Sequence, residues 1–342
     1  MAICSEVERL INGLSRSITE KMTADCPLPT ADCFLPAELR MRSFLLFLAN
    51  DERFKNFMLR FKFFRNTAWR FVAGETLQDA IRAVREAKSH GIRGTLDLLG
   101  ENAQSQEDAR KATAEVLAML DTLRAERVDC NVSVKLTQLG LDVDDEFCYE
   151  NLREIVNRAR LLEYFVRVDM EGSAYTQRTI DIVLRLRKEL ENVGVVIQAY
   201  LYRSEQDIRD LLAARTRIRL CKGAYLEPET VAFKKKQDTD ANFVKLMKIL
   251  LDSGLYHGIA THDDAMIGAT KQYANLRSIP KTSFEFQMLY GIRRDLQQGL
   301  AREGYNMRVY VPYGSLWYAY FMRRLAERPA NLWFILRNLF RD

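Results

Sequence analysis

The sequence predicts a parallel (β/α)8 barrel preceded by a helical extension, and three observations support this fold class. Eight short, β-rich runs follow one another from about residue 94 onwards, and helical segments separate them. At 342 residues the chain has the length of one barrel-sized domain with an extension. It contains no G-x-G-x-x-G and no G-x-x-x-x-G-K-[ST] motif, so a doubly wound dinucleotide-binding sheet and a P-loop fold lose their main support.

The N-terminal region, residues 1–71, lacks strand patterns and is predicted to be a helical extension of the barrel domain at 72–342. It ends in an amphipathic helix over 54–71, whose apolar face excludes the basic residues of the same segment. This face would pack against the barrel. Two alternatives remain open, namely a homo-oligomer contact through N-terminal helices and a basic helix at a membrane surface.

Eight segments are predicted to be strands because each is short, rich in apolar residues and followed by a helical stretch or a turn. They are 94–100, 131–139, 164–170, 194–200, 217–225, 257–262, 282–289 and 306–312. Helical periodicity is clearest over 104–126, 175–192 and 240–253. This alternation is typical of a barrel in which each strand is followed by a helix.

The composition favours a soluble protein, at most peripheral on a membrane, and argues against a dedicated nucleic-acid-binding protein. Lys and Arg number 51 against 46 Asp and Glu, and the net charge of +5 suits anionic ligands or an acidic membrane surface. No run approaches the ~20 apolar residues that span a bilayer. The six cysteines form no C-x-x-C motif and lie at no zinc-ligand spacing, so we expect no metal site and buried thiols in a reducing compartment.

Polar residues lie at or near the predicted C-terminal ends of the strands, where active sites form in this fold. They are Asp97, Glu101, Lys135, Asp169, Gln198, Arg219, Lys222, Thr261, His262, Glu285, Gln287 and Tyr310. A purely structural barrel would fill these layers with Val, Ile and Leu, and a buried charge must be paired or bound. Any one of these residues could be a satisfied core group, but together they predict a ligand-filled mouth.

The segment over 317–331 carries Tyr320, Arg323, Arg324 and Glu327 on one helical face. The simplest interpretation is a solvated face with an i,i+4 pair between Arg323 and Glu327. Because the segment follows the last predicted strand, the same face would lie beside the polar mouth. A role in binding a ligand is therefore the competing interpretation.

Several reaction classes are compatible with the residues alone. Three histidines in the whole chain make metal-dependent hydrolysis a poor match, and no G-x-S-x-G motif supports a Ser–His–Asp triad. Lys135 or Lys222 at a strand end could form the Schiff base of an aldolase-like enzyme. A redox cofactor would explain both the polar lining and the missing nucleophile, because the cofactor then carries the chemistry.

Nine sequence segments, in this order, resemble a known family. They are RFVAGET, LDLLGE, VSVKLTQLGLD, VRVDMEGS, VVIQAYLYRSEQD, RIRLCKGAYLEP, ATHD, FEFQMLYGIR and VYVPYGSLWYAYFMRRLAERPAN. Over roughly residues 70–340 the chain closely resembles bacterial monofunctional proline dehydrogenases and, more loosely, the proline dehydrogenase domain of the bifunctional proline utilization A proteins. The K-G-A-Y and Y-x-x-R-R-x-x-E stretches are specific for this family.

The resemblance implies a (β/α)8 barrel with non-covalent FAD that oxidises L-proline to Δ1-pyrroline-5-carboxylate. Hydride would pass from proline C5 to flavin N5, and the electrons would then pass to a membrane quinone. It implies a cytoplasmic protein, peripheral on the inner face of the membrane at most. A separate pyrroline-5-carboxylate dehydrogenase is an expected partner, since no aldehyde dehydrogenase module is recognised. Nucleic acid is not an expected partner.

The resemblance also assigns the substrate residues. The helix after the eighth strand would lie over the mouth, and Arg323, Arg324 and Lys135 would clamp the proline carboxylate. Tyr320 would pack on the proline ring. The other residues with an implied place around the substrate or flavin are Leu289, Tyr225, Asp169, Tyr310 and Glu101, the last as a gate that pairs with the first arginine of the clamp.

For FAD, Arg219 matches the arginine near flavin N5, where a cation would favour the reduced flavin. The other residues that match cofactor contacts are Gln198, Lys222, Gly223, Ala224, Thr261, His262 and Glu327. The lysines at 234–236 would help with the phosphates. No residue is assigned as a general base, and the substrate amine would enter neutral.

Two positions depart from the family pattern. Gly172 stands where relatives often have an acidic residue, and Leu226 replaces an aromatic residue of the bifunctional proteins. Within the class, the alternative function is a hydroxyproline dehydrogenase, which carries a smaller residue at the position of Tyr320.

Overall fold

A computed structural model describes residues 68–100 and 102–327, with side chains described as far as residue 322. The predicted extension over 1–71 therefore lies outside the described residues except for its last four positions. The same holds for most of the amphipathic helix over 54–71. The division of the chain at residue 71 stays a prediction.

The described residues form eight strands, nine α-helices and a short 3-10 turn at Ser173–Tyr175. The strands are β1 (Arg93–Leu98), β2 (Cys130–Val134), β3 (Val166–Val168), β4 (Val193–Gln198), β5 (Arg217–Cys221), β6 (Gly258–Ala260), β7 (Glu285–Leu289) and β8 (Asn306–Tyr313). The helices are α1 (Leu77–Ser89), α2 (Gln106–Ala125), α3 (Asp145–Leu161), α4 (Thr176–Arg187), α5 (Ser204–Ala213), α6 (Lys236–Asp252), α7 (Asp264–Leu276), α8 (Arg294–Arg302) and α9 (Trp317–Glu327).

The predicted fold class is confirmed, because the strands close into a barrel in the order β1 to β8. Neighbouring strands pair in parallel, and β8 pairs with β1 to close the sheet. Each predicted strand segment overlaps an observed strand, and the boundaries differ by one to a few residues. The prediction over 131–139 ran too far, because Leu136 and Leu139 are buried in the loop that follows β2 and resemble strand residues by hydropathy alone.

Four helices begin at side-chain caps, which end the loops at the mouth of the barrel. Thr76 caps α1, Ser105 caps α2, Asp144 caps α3 and Asp263 caps α7. In each case the side-chain oxygen accepts a hydrogen bond from a backbone N–H of the first turn, which would otherwise lack a partner inside the helix. The caps thus fix where each loop stops and its helix starts.

The helices cover the outside of the sheet, so the strands are buried on both faces. All six residues of β4 are buried, as expected for a parallel strand between helices and a barrel interior. Cys130 and Cys148 are buried free thiols in this packing, as predicted, and burial raises the pKa of Cys130 to about 12. Over the described ranges, none of the helices has the length and apolar character that a membrane crossing requires.

Glu285 is a correction to the predicted mouth. It is the first residue of β7, at the opposite end of the barrel, where its oxygens accept hydrogen bonds from Arg308 Nε at 2.8 and 3.0 Å. Tyr256 donates a third hydrogen bond at 2.9 Å. Burial acts to raise the pKa of Glu285, but attraction to Arg308 outweighs it and lowers the pKa. Glu285 therefore stabilises the barrel floor.

His257 is fully buried just before β6, at the same end of the barrel. Its Nδ1 accepts a hydrogen bond from the Ile218 N–H at 3.0 Å, so the ring proton resides on Nε2, which lies 2.9 Å from Ser253 Oγ. Burial, together with the positive charges of Arg167 and Arg217, lowers the pKa of His257 to about 3. The folded state therefore holds this histidine neutral.

This arrangement predicts a loss of stability in mild acid. The pKa of His257 is about 3 in the fold and about 6.5 in the unfolded chain, so the unfolded state binds more protons between these values. The free energy of unfolding should fall as the pH drops below about 6.5, by up to about 1.4 kcal/mol per pH unit from this group. Urea unfolding between pH 7 and 5 measures the slope.

His257→Gln cannot take up the proton and should remove this part of the slope. His90→Gln is the matched control, because His90 is exposed. Equal slopes in the wild type and His257→Gln would contradict the prediction.

Candidate active site

The C-terminal ends of the strands enclose a connected set of buried and half-buried polar side chains, which we call the mouth network. Its members are Asp97, Ser133, Lys135, Asp169, Arg219, Gln287 and Tyr310. They come from six of the eight strands or from the residue directly after a strand. Parallel strands in a closed barrel bring these distant positions to one end of the molecule.

Lys135 and Asp97 form a buried ion pair in the mouth network. Lys135 Nζ lies 2.9 and 3.0 Å from the two carboxylate oxygens, and Asp97 is only 1% exposed. Ser133 pairs with Asp97 across β1 and β2, so Lys135, two positions further along, points to the same side of the sheet. Burial raises the pKa of Asp97, while the charge of Lys135 acts against the shift.

Asp169 joins three strands through its carboxylate. Ser133 Oγ donates to Oδ1 at 3.0 Å, Arg219 Nη1 donates to the same oxygen at 2.8 Å, and Tyr310 donates to Oδ2 at 2.7 Å. The backbone N–H of Asp169 donates to Val134 O at 2.9 Å, which extends the β2–β3 ladder by one step. These contacts set the direction in which the carboxylate points.

The guanidinium of Arg219 is held on several sides. Besides the contact with Asp169, its Nε donates to Gln287 Oε1 at 2.5 Å and its Nη2 donates to Ser133 Oγ at 3.4 Å. It also lies 5.3 Å from the centre of the Tyr310 ring, within cation–π range. With an exposure of 7%, Arg219 is a cation in a fixed position at the mouth.

Tyr310 is the aromatic member of the mouth network. Burial raises the pKa of Tyr310 well above its usual value, and the Asp169 and Asp97 carboxylates raise it further. The hydroxyl is therefore a neutral hydrogen-bond donor at physiological pH. Tyr320 on α9 is buried and acts in the same direction on the pKa of Tyr310.

α9 is anchored by aromatic contacts with the segment before α1. Trp317 packs against Trp69 with ring centres 5.0 Å apart and donates its indole N–H to Glu75 at 2.9 Å. Phe321 packs against Phe71 at 5.9 Å. The predicted residues Arg323, Arg324 and Glu327 belong to this helix, but their side chains lie outside the described part, and so does the whole of Glu101. Their roles stay predictions.

The loop after β5 carries the K-G-A-Y motif. Lys222 forms ion pairs with Asp240 and with Asp263, the latter at 2.7 Å, so its charge is already matched by protein carboxylates. The contact with Lys222 lowers the pKa of Asp263 to about 2. Gly223 has a φ of +112°, and a Cβ there would lie 2.3 Å from the Tyr200 ring, so the turn requires glycine. Ala224 and Tyr225 follow as exposed residues.

His262 and Leu289 are directly connected. The backbone N–H of Leu289 donates to His262 Nε2 at 2.9 Å, which places the proton of a neutral His262 on Nδ1. Thr261 continues the ladder to β7 through Gln287 O and accepts a hydrogen bond from the Asp263 N–H. The predicted cofactor residues that follow β6 therefore support the predicted substrate residue of β7.

Gln198, at the end of β4, presents a buried acceptor. Its Nε2 donates to the backbone oxygen of Glu171 at 2.7 Å, while its Oε1 is buried without a hydrogen-bond partner among the described protein groups. Buried polar atoms normally have a partner, so this oxygen fits a ligand that offers an N–H or O–H group.

Sequence reasoning missed two residues of this region. Ser133 was not singled out, although it lies two positions before Lys135 and therefore faces the same side of β2. Glu171 was also missed. It is 7% exposed and binds the backbone N–H and hydroxyl of Thr137 with its two oxygens, at 3.1 and 2.6 Å.

Comparisons with known proteins agree with each other. Residues 80–337 match the model of the proline dehydrogenase family. The chain is 45% identical over 298 residues to proline dehydrogenase 2 of Bacillus subtilis, covering 87% of this chain and 98% of the relative. It is 43% identical over 279 residues to proline dehydrogenase of Deinococcus radiodurans, covering 80% and 90%.

A solved structure of proline utilization A from Bdellovibrio bacteriovorus, inactivated by N-propargylglycine, is similar with a TM-score of 0.77 and 26% identity. The match covers 89% of this chain but 38% of that longer protein. The eight-stranded barrel described above is thus a fold shared with a solved protein.

The buried pair between Lys135 and Asp97 generates a stability prediction. Lys135→Met leaves the Asp97 carboxylate buried without its cation, so we expect the free energy of unfolding to fall by about 3 kcal/mol. The double variant Asp97→Asn/Lys135→Met should lose clearly less, because no charge is left behind. Urea unfolding near pH 7 measures both.

Lys88→Met is the control, because Lys88 pairs with Asp129 at 3.6 Å on the surface. It should change stability by less than about 1 kcal/mol. If Lys135→Met lowered the free energy of unfolding no more than Lys88→Met does, the prediction that the Lys135–Asp97 pair stabilises the fold would be contradicted.

Proposed function

The chain belongs to the proline dehydrogenase family, as its resemblance predicted, and on this premise we propose that it oxidises L-proline with non-covalently bound FAD. The product would be Δ1-pyrroline-5-carboxylate. The observation that carries the proposal is the fixed contact of Arg219 with Asp169, Gln287 and Tyr310 at the C-terminal end of the barrel. It provides a positioned cation where this fold places its chemistry.

Features of the described residues fit a flavin. The unpartnered oxygen of Gln198 offers an acceptor for a ring N–H, and the buried Arg219 offers positive charge to a group that becomes more negative on reduction. Gly223 lets the K-G-A-Y loop pack directly against the Tyr200 ring, which sets the position of this loop. When bound, FAD would accept the two electrons and the hydride that proline loses.

The remaining cofactor residues are proposed from the family resemblance. They are Lys222, Ala224, Thr261, His262 and Glu327. For Lys222 the structure adds a constraint, because Asp240 and Asp263 already neutralise its charge. We therefore propose that Lys222 mainly anchors the loop and contributes little net charge to the cofactor.

The proline carboxylate would be held by Arg323, Arg324 and Lys135. Since Asp97 is paired with Lys135, the two arginines would supply most of the net positive charge of this clamp. Tyr320 would close the side of the ring, with Leu289 held in place by His262. Holding the substrate by both its carboxylate and its ring favours one orientation of C5, which is a positioning effect.

No described residue is assigned the removal of a proton from the substrate amine. Tyr310 is held as a donor by Asp169. We propose that proline enters with a neutral amine and that the mouth network orients the substrate and stabilises charge. Tyr225 would lie at the rim, since 45% of it is exposed, and Glu101 would pair with Arg323 as a gate.

The later fate of electrons and product is proposed on the resemblance alone. The electrons would pass to a membrane quinone, with the protein cytoplasmic and at most peripheral on the inner face of the membrane. A separate pyrroline-5-carboxylate dehydrogenase would take the product. The helices of residues 1–71 would serve as an extension to the catalytic domain or as a homo-oligomer contact.

The proposal predicts a yellow protein that L-proline bleaches. Anaerobic addition of L-proline should remove the flavin absorbance near the visible maximum, because the flavin is reduced. Trans-4-hydroxy-L-proline should bleach it far less, since buried Tyr320 leaves little room for a 4-hydroxyl group beside the ring. Absorbance spectra before and after addition are the measurement.

Equal bleaching by both amino acids would favour the hydroxyproline alternative. Purification without flavin would count against the cofactor. A colourless protein that borohydride traps with substrate would indicate the Schiff-base alternative.

A further inference from the structure

Two loops at the mouth of the barrel are joined by Glu227. One loop follows β3 and contains the turn Ser173–Tyr175, and the other follows β5 and contains the K-G-A-Y motif. Glu227 Oε1 accepts the Ser173 backbone N–H at 2.7 Å, and its Oε2 accepts the Ser173 hydroxyl. The contact spans 54 residues of sequence and passes over the end of β4, which lies between β3 and β5.

Glu227 supplies a cap that the turn itself lacks. Gly172 occupies the cap position of the turn and makes no side-chain hydrogen bond. The first N–H groups of such a turn need an acceptor, and here a carboxylate from another loop provides it. Hydrogen bonds to a charged acceptor are stronger than neutral ones, so this contact contributes more than an ordinary cap.

The Glu227 carboxylate also limits which side chain position 172 can carry. A Cβ at this position would lie 3.6 Å from Glu227 Oε1, an ordinary contact distance. The φ of Gly172 is −59°, so the backbone would accept other residues. A small apolar side chain should therefore fit, whereas an acidic one would place a second negative charge next to Glu227.

The two ends of the β5 loop are held elsewhere. At its start, Lys222 pairs with Asp240 and Asp263, and Lys222 O accepts the Tyr200 N–H at 2.9 Å. At its end, Phe233 N–H donates to Tyr200 O at 2.8 Å. The middle of the loop, residues 224–226, is exposed, and Glu227 follows it directly. Glu227 therefore fastens the loop, directly after its exposed part, to the β3 side of the mouth.

We propose that Glu227 is a positioning residue that fixes the K-G-A-Y loop for cofactor binding by fastening it to Ser173. The inference rests on the proposed function only in naming FAD as the ligand of that loop. Loss of the fastening should let the backbone at 223–226 move away from the cofactor. FAD should then leave the enzyme faster, while the mouth network, which Glu227 does not join, keeps its geometry.

The test uses the flavin-loaded protein and two readouts besides turnover. One is the rate of FAD release after dilution, followed by flavin fluorescence. The other is hydrogen exchange at the Ser173 amide and at residues 223–226. For Glu227→Ala we expect release and Ser173 exchange to be about tenfold faster or more, in line with the loss of hydrogen bonds to a charged group.

Two variants are matched controls. Glu229→Gln removes a neighbouring carboxylate of the same loop that pairs with the exposed Lys234, and it should change both rates by less than about twofold. Gly172→Ala should be similarly mild, because its added Cβ meets only an ordinary contact. Together they separate the Glu227–Ser173 contact from general changes in loop charge or stiffness.

Variants that move the negative charge between positions 172 and 227 test the Glu227–Ser173 contact further. Gly172→Asp should speed both rates, because two carboxylates then face each other. In the double variant Gly172→Asp/Glu227→Gln the new carboxylate can cap the turn, and the neutral glutamine at position 227 does not repel it. Both rates should therefore move back towards the wild-type values. Simple additivity of the two changes would overturn this part of the inference.

Failure of the inference and failure of the proposed function look different. If the function is wrong, the wild type carries no FAD that L-proline reduces. If the inference is wrong, a flavin-loaded protein shows equal FAD release and equal Ser173 exchange in Glu227→Ala and Glu229→Gln.

Discussion

The carboxylate of Asp169 is the constraint on which the mouth of this barrel depends. It accepts hydrogen bonds from Ser133, Arg219 and Tyr310, which lie on β2, β5 and β8. Each of these partners would be costly to bury alone, and a carboxylate in the same place would be costly without them. The four groups therefore stabilise one another, and their mutual fit determines where a cation and a neutral tyrosine hydroxyl are placed.

Further charges extend this arrangement in two directions. Gln287 links Arg219 to Glu285 at the barrel floor, because it accepts a hydrogen bond from Arg219 and donates one to Glu285, each at 2.5 Å. Glu285 in turn pairs with Arg308. Lys135 and Asp97 add a second buried pair beside it. The surrounding strands and helices are apolar and close-packed, so these polar groups have few other positions to adopt. A rigid interior of this kind suits an enzyme that works by positioning.

The sequence was a good guide to the fold and a partial guide to the site. Eight apolar runs alternating with helices carry a periodic signal, and they predicted the barrel correctly. Hydropathy marks the end of a strand less well, which is why buried Leu136 in a loop resembled strand and why Glu285, at the start of β7, was placed at the wrong end. Contacts such as that between Glu227 and Ser173 leave no periodic trace, because they join positions far apart in the chain.

Under the proposed function, the most direct measurement for the central role of the Asp169–Arg219 contact is the midpoint potential of the flavin that the enzyme would bind. If the proposed flavin lies beside it, the buried arginine should favour the reduced form, so Arg219→Met should lower the potential by about 30 mV or more, equivalent to about 1.4 kcal/mol for two electrons. Arg302→Met, on the exposed surface of α8, should leave it unchanged. An unchanged potential in Arg219→Met with the flavin still bound would contradict the placement of this cation at the reacting site.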